Sequence, residues 1–414
     1  MQQKQLADKP EVLFLVSPNL GLLDSWLPVF WELKKRQPEI IITAVFPKAS
    51  IVSEIDPGEV STELAQSVIN EVMFKSRTGM WVTTEKLAEA KELVDKHRAL
   101  NRFIGKIRRV LGASRNDNAA LARLSVKAIC FDVFAKTKPD CRVILKHFPR
   151  TPRFSILHGL AIEDFETKGG DYDRGEKVYR TTAYVHSKHE IAAYERNYGL
   201  DSSEVKVTGV PRHEPGWIRT VLHNAQSDIP VSWDKYIFLI SRPALDGFFP
   251  REKKREALRN IQKLAEELHS KIVVRLHPTE RVQNDGLYEE VFGEASRGET
   301  WMYSSSHPFM IGKGSLFAIT FYSGVAVDML ALGVPTIQMV DLESRGKTGA
   351  IMEYKKKGLV LGADNYEELK QQALRIMKEK DAVMRQLMPS YNEYFRPVGN
   401  PIQTIANDIV KVLQ

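Results

Sequence analysis

The sequence predicts an α/β protein built from two Rossmann-like domains facing a central cleft, and three observations carry that expectation. The chain has 414 residues, more than one hydrophobic core usually serves, so two domains of ordinary size are expected. Short apolar runs alternate with amphipathic stretches of helical spacing, the pattern of parallel strands joined by crossover helices. Polar loops follow those runs directly, and in an open parallel sheet such loops line the ligand crevice.

Taken in order, EVLFLVS at 11–17 reads as a strand, PNLG as a turn, and LLDSWLPVFWELKKR as a helix. IIITAVF at 40–46 is the next strand and completes a βαβ unit. Residues 59–75 and 84–135 read as mostly helical. Within them, DKHRALNRFIGKIRRVLG sets Arg102, Lys106, Arg108 and Arg109 against Leu100, Phe103, Ile104, Ile107, Val110 and Leu111. This is a basic amphipathic helix with one core face and one solvated face; its alternative reading is docking on anionic lipid or a lipid-linked acceptor. RVILKHF, RFSILHG, TAYVHSKHE and EVKVTGVPRHE then read as strand ends that feed loops or helices. The stretch VLHNAQSDIPVSW from Val221 to Trp233 is polar and aperiodic and contains Pro230, which places an interdomain linker there.

A second series follows: YIFLISRP, KIVVRLHP, SLFAITFYSG and VPTIQMV as strands, with REKKREALRNIQKLAEELH and VAVDMLALG as helices. That alternation describes a doubly wound domain. The amphipathic NPIQTIANDIVKVL closes the chain as a helix crossing back over the first domain. The expected bounds are therefore 1–225, 226–390 and 391–414.

Composition narrows the function. Hydrophobic residues at 43% and charged residues at 27% exclude wholesale disorder. No apolar run approaches the roughly 18–20 residues that span a bilayer, and MQQKQLADKPEVLFLV lacks the layout of a secretory signal. A cytoplasmic location is expected, at the inner face of the cytoplasmic membrane if the basic helix docks there. Cys130 and Cys141, the only cysteines, suggest neither a disulfide framework nor a zinc site. The net charge of +7 permits an anionic partner. Without an aromatic-basic RNA signature, zinc finger or tandem repeat, nucleic acid is not the expected one. GKS/GKT, GxSxG and HExxH motifs are absent, which removes support for P-loop kinases, α/β-hydrolases and zincins.

Four loops follow apolar strands. In RLHPTE, His277 can donate to a phosphate oxygen or supply a proton to a leaving nucleotide; a surface structural histidine is the alternative. In TFYSGVAVDMLALGVP, Ser323 and Gly324 stand where a strand turns into a helix, a place for an anion or for a plain N-cap. Asp328, one turn on, suits a ribose hydroxyl or a buried structural role. In LISRPALDGFFP, Asp246 precedes a glycine and offers a nucleophile, a base or a turn-forming Asp-Gly. In SILHGLAIEDFE, His158, Gly159, Glu163 and Asp164 follow a strand of the first domain, and Glu163 or His158 could activate an acceptor hydroxyl.

These loops, in this order, carry a resemblance. VHSKHEIAAYERNYGLDSSEVKVTGVPRHE, RLHPTE and AITFYSGVAVDMLALGVPTIQM are similar to segments of bacterial GT-B transferases that use cytidine nucleotides to build surface polymers. Two relatives matter: the Kdo transferases of capsule and O-antigen (lipopolysaccharide) synthesis, and the CDP-glycerol glycerophosphotransferases of teichoic acid synthesis. The resemblance runs from residue 150 to 345, with a weaker match at LFLVSPNLGLLDSW.

It implies that His277 and Ser323 hold the donor phosphate. In the Kdo transferases the loop after the first strand of the nucleotide domain resembles Gln-x-x-x-Asp; here Arg242 replaces the glutamine in RPALD and Asp246 keeps its place. The implied reaction moves Kdo, or a related 2-keto sugar acid, from a CMP-linked donor to a glycan or lipid-linked glycan acceptor. Asp246 would form a retaining glycosyl-enzyme, Glu163 would serve as acceptor base, and Arg242, Gly324 and Asp328 would join the donor site. No cofactor and no metal are expected. The glycerophosphotransferase pattern has an aromatic His-Gly-Thr-Pro and a doubled serine, where this chain has Leu157-His158-Gly159-Leu160 and Ser323-Gly324. CDP-glycerol transfer, other GT-B hexosyl transfer, nucleotide-sugar epimerisation and a non-catalytic scaffold remain the alternatives.

Overall fold

The computed structural model describes residues 10–17, 20–56, 59–76, 81–96, 119–133, 138–160, 180–244, 249–278, 280, 286–339 and 354–414. Contacts divide the chain into two compact units, one within Met1–Gly159, Asp171–Glu214 and Pro397–Gln414, the other within Leu160–Gly170 and Pro215–Arg396.

The first unit grows from β1 (Glu11–Leu15), β2 (Ile41–Phe46) and α1 (Leu22–Arg36) between them. β1 and β2 pair in parallel, and every side chain of β1 is buried, as expected for a strand covered on both faces. Trp26 and Phe30, one helical turn apart on α1, pack on Phe14 of β1. Fully burying each of these rings stabilises by about 1.5–3 kcal/mol. The sheet is completed by β3 (Glu71–Lys75), β4 (Trp81–Thr84), β5 (Val126–Phe131), β6 (Arg153–Ile156), β7 (Thr181–Val185) and β8 (Val205–Val207). Its order is β4-β3-β2-β1-β5-β6-β7-β8, parallel except for the edge pair β3–β4.

Three sequence expectations change here. Residues 59–75 contain a helix, α2 (Val60–Val68), and then strand β3; the 84–135 stretch contains strand β5 as well as α3 (Leu87–Lys96). RVILKHF is not strand-like: it lies in α4 (Pro139–His147), where Pro139 opens the first turn and Cys141, Ile144 and Leu145 bury one face at helical spacing. The basic segment carrying Lys106, Arg108 and Arg109 lies outside the described residues.

The second unit begins at α6 (Pro215–Asn224), after α5 (Ile191–Tyr198) of the first. Trp217, Ile218 and Val221 bury α6, which packs on α9 (Pro308–Gly314), and so the division falls at Pro215 rather than at the polar stretch expected to link the domains. The order β11-β10-β9-β12-β13-β14 joins β9 (Tyr236–Ile240), β10 (Lys271–Arg275), β11 (Trp301–Tyr303), β12 (Ala318–Thr320), β13 (Thr336–Met339) and β14 (Leu361–Ala363), all parallel. The helices are α7 (Arg251–Glu267), α8 (Leu287–Phe292), α10 (Val325–Ala331) and α11 (Tyr366–Tyr394), the last kinked at Glu379. The terminal α12 (Pro401–Leu413) belongs to the first unit, where it packs on α1, and Asp408 accepts from Tyr184 and Lys206 at 3.0 and 2.6 Å. Among the described residues no helix is long and apolar enough to cross a membrane.

Candidate functional site

Each sheet has one place where neighbouring strands send their chains in opposite directions: between β1 and β5 in the first unit, and between β9 and β12 in the second. Open α/β sheets bind ligands outside the carboxyl ends of the strands at this switch point, because the diverging crossovers leave a crevice there.

In the second unit, Ser241 and Arg242 leave β9, His277 follows β10, and Tyr322, Ser323 and Gly324 follow β12. These three strands are adjacent, so four of the residues expected at the donor site share one edge. The Arg242 guanidinium lies over the Tyr322 ring, 4.8 Å from its centroid. The Tyr322 hydroxyl donates to the Pro243 carbonyl at 2.8 Å, and Phe249 packs on Phe321 and Tyr322, so both ends of the loop after β9 are pinned. Burial pushes the Tyr322 phenol up to about 12, which keeps it a neutral donor. Asp246 lies outside the described residues, as do Glu163 and Asp164 in the first unit's loop.

Below this edge sits a buried carboxylate that no sequence argument singled out. Glu280 Oε1 accepts from Ser241 Oγ at 2.7 Å and from Lys254 Nζ of α7 at 2.5 Å, while Oε2 accepts from the His277 amide at 2.9 Å. The Glu280 amide returns a bond to the His277 carbonyl at 2.8 Å. One side chain therefore holds the loops after β9 and β10 in fixed relation. Tyr288 adds a hydroxyl contact to Ser241 and offers its ring to Lys254 Nζ at 4.7 Å.

Ser323 is buried; its amide donates to Thr320 Oγ1 at 3.2 Å and its hydroxyl receives the Val325 amide at a long 3.4 Å. The N-cap position itself is taken by Gly324 without a side-chain bond, so Ser323 stands one residue before the cap rather than filling the plain N-cap role. A Cβ at Gly324 would meet the Tyr354 hydroxyl at 3.3 Å and Leu160 at 3.4 Å, which explains the glycine by close approach. Asp328 is buried in α10, and its charge helps raise the phenol of Tyr391 on α11, after burial as the main cause. The ribose role expected of Asp328 draws no support from that interior position.

In the first unit, Asp132 follows β5 and His158 follows β6. Asp132 is fully buried and accepts from the His158 amide at 3.0 Å and pairs with His158 Nδ1 through the same Oδ2. The His158 side chain is 25% exposed. Carboxylate contact at Nδ1 favours the tautomer in which Nε2 carries the lone pair. Around the pair, Val133 donates to Ser155 Oγ at 2.8 Å, Trp26 to the Phe131 carbonyl at 3.3 Å, and Arg212 to Ser25 Oγ at 3.2 Å. Asp132 was hidden because its strand was read as helix. The available signal was VKAICFD, an apolar run of strand length ending in a carboxylate. Among the described residues, no group of three or more His, Cys, Asp or Glu converges in a way that could hold a metal ion.

No protein-family model and no curated protein sequence matches the chain. Solved structures do. A putative UDP-N-acetylglucosamine 2-epimerase from Listeria monocytogenes has a TM-score of 0.58 at 13% identity, covering 98% of this chain and 96% of that one. The UDP-GlcNAc 2-epimerase of Methanocaldococcus jannaschii, in complex with UDP-GlcNAc and UDP, gives 0.52 at 15%, covering 98% and 99%. A variant of the wall teichoic acid polymerase TagF, soaked with CDPG, gives 0.58 at 13%, covering 98% and 89%. At these identities the likeness concerns the fold, and the fold of the chain is the two-domain GT-B type shared by these neighbours.

Proposed function

We propose that the chain is a transferase that takes a glycosyl group from a nucleotide-linked donor bound to the second unit. The observation that carries this reading is the placing of Arg242, His277 and Ser323 after three adjacent strands at one switch point, with the loops after β9 and β10 tied together by Glu280. Similar folds solved with UDP-GlcNAc, UDP and CDP-glycerol support a nucleotide-linked ligand. Cytidine as the base and Kdo, or a related 2-keto sugar acid, as the transferred group rest on the sequence resemblance.

In this mechanism His277 and Ser323 donate to the donor phosphate and stabilise CMP as it leaves with the electron pair of the broken C–O bond. Asp246 bonds to the anomeric carbon. An acceptor hydroxyl of a surface glycan then displaces that carboxylate, giving retention through two inversions. His158 takes the acceptor proton, with Asp132 holding its tautomer. This assigns to His158 the role expected first of Glu163. Positive charge on the protein meets the phosphate, so transfer is expected to persist in EDTA. A nucleotide donor fits a cytoplasmic reaction, and the basic segment would bring the protein to the inner face of the membrane.

CDP-glycerol transfer is the second reading, favoured by the TagF likeness and by the carboxylate-held His158, since phosphoryl transfer to a hydroxyl needs a base and no carbon-attacking nucleophile. Thermal shift with CMP, CDP, UDP and GDP separates the bases: a ligand at 100 times its Kd stabilises by about 2.7 kcal/mol. Selective stabilisation by cytidine nucleotides is expected, and His277→Ala or Ser323→Ala should weaken it by about 1–3 kcal/mol each. Intact-mass analysis with CMP-Kdo and no acceptor should give a one-sugar adduct on the SRPALDGFF peptide, lost in Asp246→Asn. Preference for UDP, or donor turnover to an epimer without acceptor, would overturn the proposal.

A further inference from the structure

Among the described residues, the donor edge of the second unit carries one more positive charge than its carboxylates answer. Lys254 and Glu280 form a buried pair, with Lys254 Nζ 1% exposed at the side chain. The negative charge of Glu280 is also felt by Tyr322, and its two oxygens are engaged by Lys254, Ser241 and the His277 amide. Arg242 remains. Its guanidinium stacks on Tyr322, and its Nε is buried without a hydrogen-bond partner. A buried, charged N–H left unmade is costly, so one that persists calls for a partner from solvent or a ligand.

The stacking surface is itself fixed, because the Tyr322 hydroxyl is held by the Pro243 carbonyl and the ring by Phe249. Arginine in such a setting is a preorganised planar fork. It suits carboxylate or phosphate oxygens in a way that a lysine ammonium does not.

We propose that Arg242 receives a second anionic group of the donor, distinct from the phosphate assigned to His277 and Ser323: either the carboxylate of a sugar acid or the second phosphate of a nucleoside diphosphate. This rests on the donor-site reading above and narrows it, since a neutral sugar on a single phosphate would leave the guanidinium unanswered.

Binding of CMP, CDP and CMP-Kdo to the parent, Arg242→Gln and Arg242→Lys tests it. Arg242→Gln should bind CMP within about twofold of the parent and lose about 10- to 100-fold for a ligand bearing the second anion. Loss for CMP-Kdo alone identifies the carboxylate, loss for CDP alone the second phosphate, and loss for both a fork that serves either; each supports the proposal. Arg242→Lys should recover only part of the loss. The ligand-free melting temperature of Arg242→Gln should stay near the parent's, because the stacking lost on Tyr322 is offset by removal of a buried N–H that has no hydrogen-bond partner. Equal weakening of all three ligands, or none, overturns the inference while leaving nucleotide binding intact. If the parent binds no nucleotide, the donor-site reading itself fails, and the inference with it.

Discussion

The two switch points use one topology for opposite electrostatic ends. In the first unit the charge at the crevice, Asp132, is fully buried and answered by His158, its neighbour on the next strand. In the second, Arg242 faces an aromatic ring and has no carboxylate of its own among the described residues. A satisfied pair orients: it fixes a tautomer and tunes a proton acceptor. An unsatisfied cation recruits: it draws an anion into the site. Parallel strands and diverging crossovers provide the place, and the charge balance at the strand ends decides what is done there.

The largest expected effect tests the satisfied pair. If His158 takes the acceptor proton, His158→Ala should lower the transfer rate by about 100- to 10,000-fold while donor affinity stays at the parental value. Asp132→Asn should lower it less, since the amide no longer holds His158 in the tautomer with its proton on Nδ1. Parental rates in both variants would reduce the pair to a packing feature and erase the contrast with the second unit.

The next test concerns how the second unit keeps its donor edge in register. Glu280→Gln leaves Lys254 buried without its counter-charge, and breaking such a pair costs about 3–5 kcal/mol. Lys254→Met with Glu280→Gln should cost clearly less than the sum of the single changes, as judged by urea unfolding. Additive costs, or a single cost below about 1 kcal/mol, would show that the pair does not organise the edge.

Much of the second unit was legible from sequence, and the reason is local. Its strands are short apolar runs cut off by Arg242, His277 and Ser323, with a helix of clear period after the first and the last, so position and type could be read together, whereas α8, β11 and α9 between His277 and β12 went unread. The first unit was harder. β5 follows a long amphipathic basic stretch, and a six-residue strand inside helical text carries little periodic signal of its own. Missing β5 concealed Asp132, so His158 was read as one of several loop residues rather than as half of a pair. Glu280 was visible in RLHPTE but could not be assigned, because its partners Lys254 and Ser241 lie 26 and 39 residues away and meet it only through the fold. RVILKHF misled in the other direction: apolar and β-branched residues suit a strand, and only Pro139 at the first turn and the burial of Cys141, Ile144 and Leu145 settle it as helix.

The smallest expected effect probes a charge answered neither by a cation nor by a ligand. Asp228, between α6 and β9, accepts from Ser304 Oγ at 2.5 Å, Ser306 Oγ at 2.6 Å, and the Ser305 amide at 2.7 Å. Arg275 binds the Ser305 and Ser306 carbonyls at 2.8 and 2.5 Å and so holds the serine loop from the other side. Burial alone would raise the Asp228 carboxyl, but the hydrogen bonds from Ser304, Ser306 and Ser305 outweigh it and hold the group below its ordinary value. A folded-state value below the unfolded one of about 3.9 means that the contribution is present above that pH and is lost as pH falls through the lower folded value. The site is half open to solvent, so the contribution at neutral pH should be only about 1 kcal/mol, a shift of about 2–4 °C in the melting temperature. Asp228→Asn removes the charge at every pH. Its melting curve should therefore lie below the parent's at pH 7, with the gap narrowing as the pH falls below about 3.9. A gap that stays constant into acid would mean that the serines recognise the shape of the side chain rather than its charge.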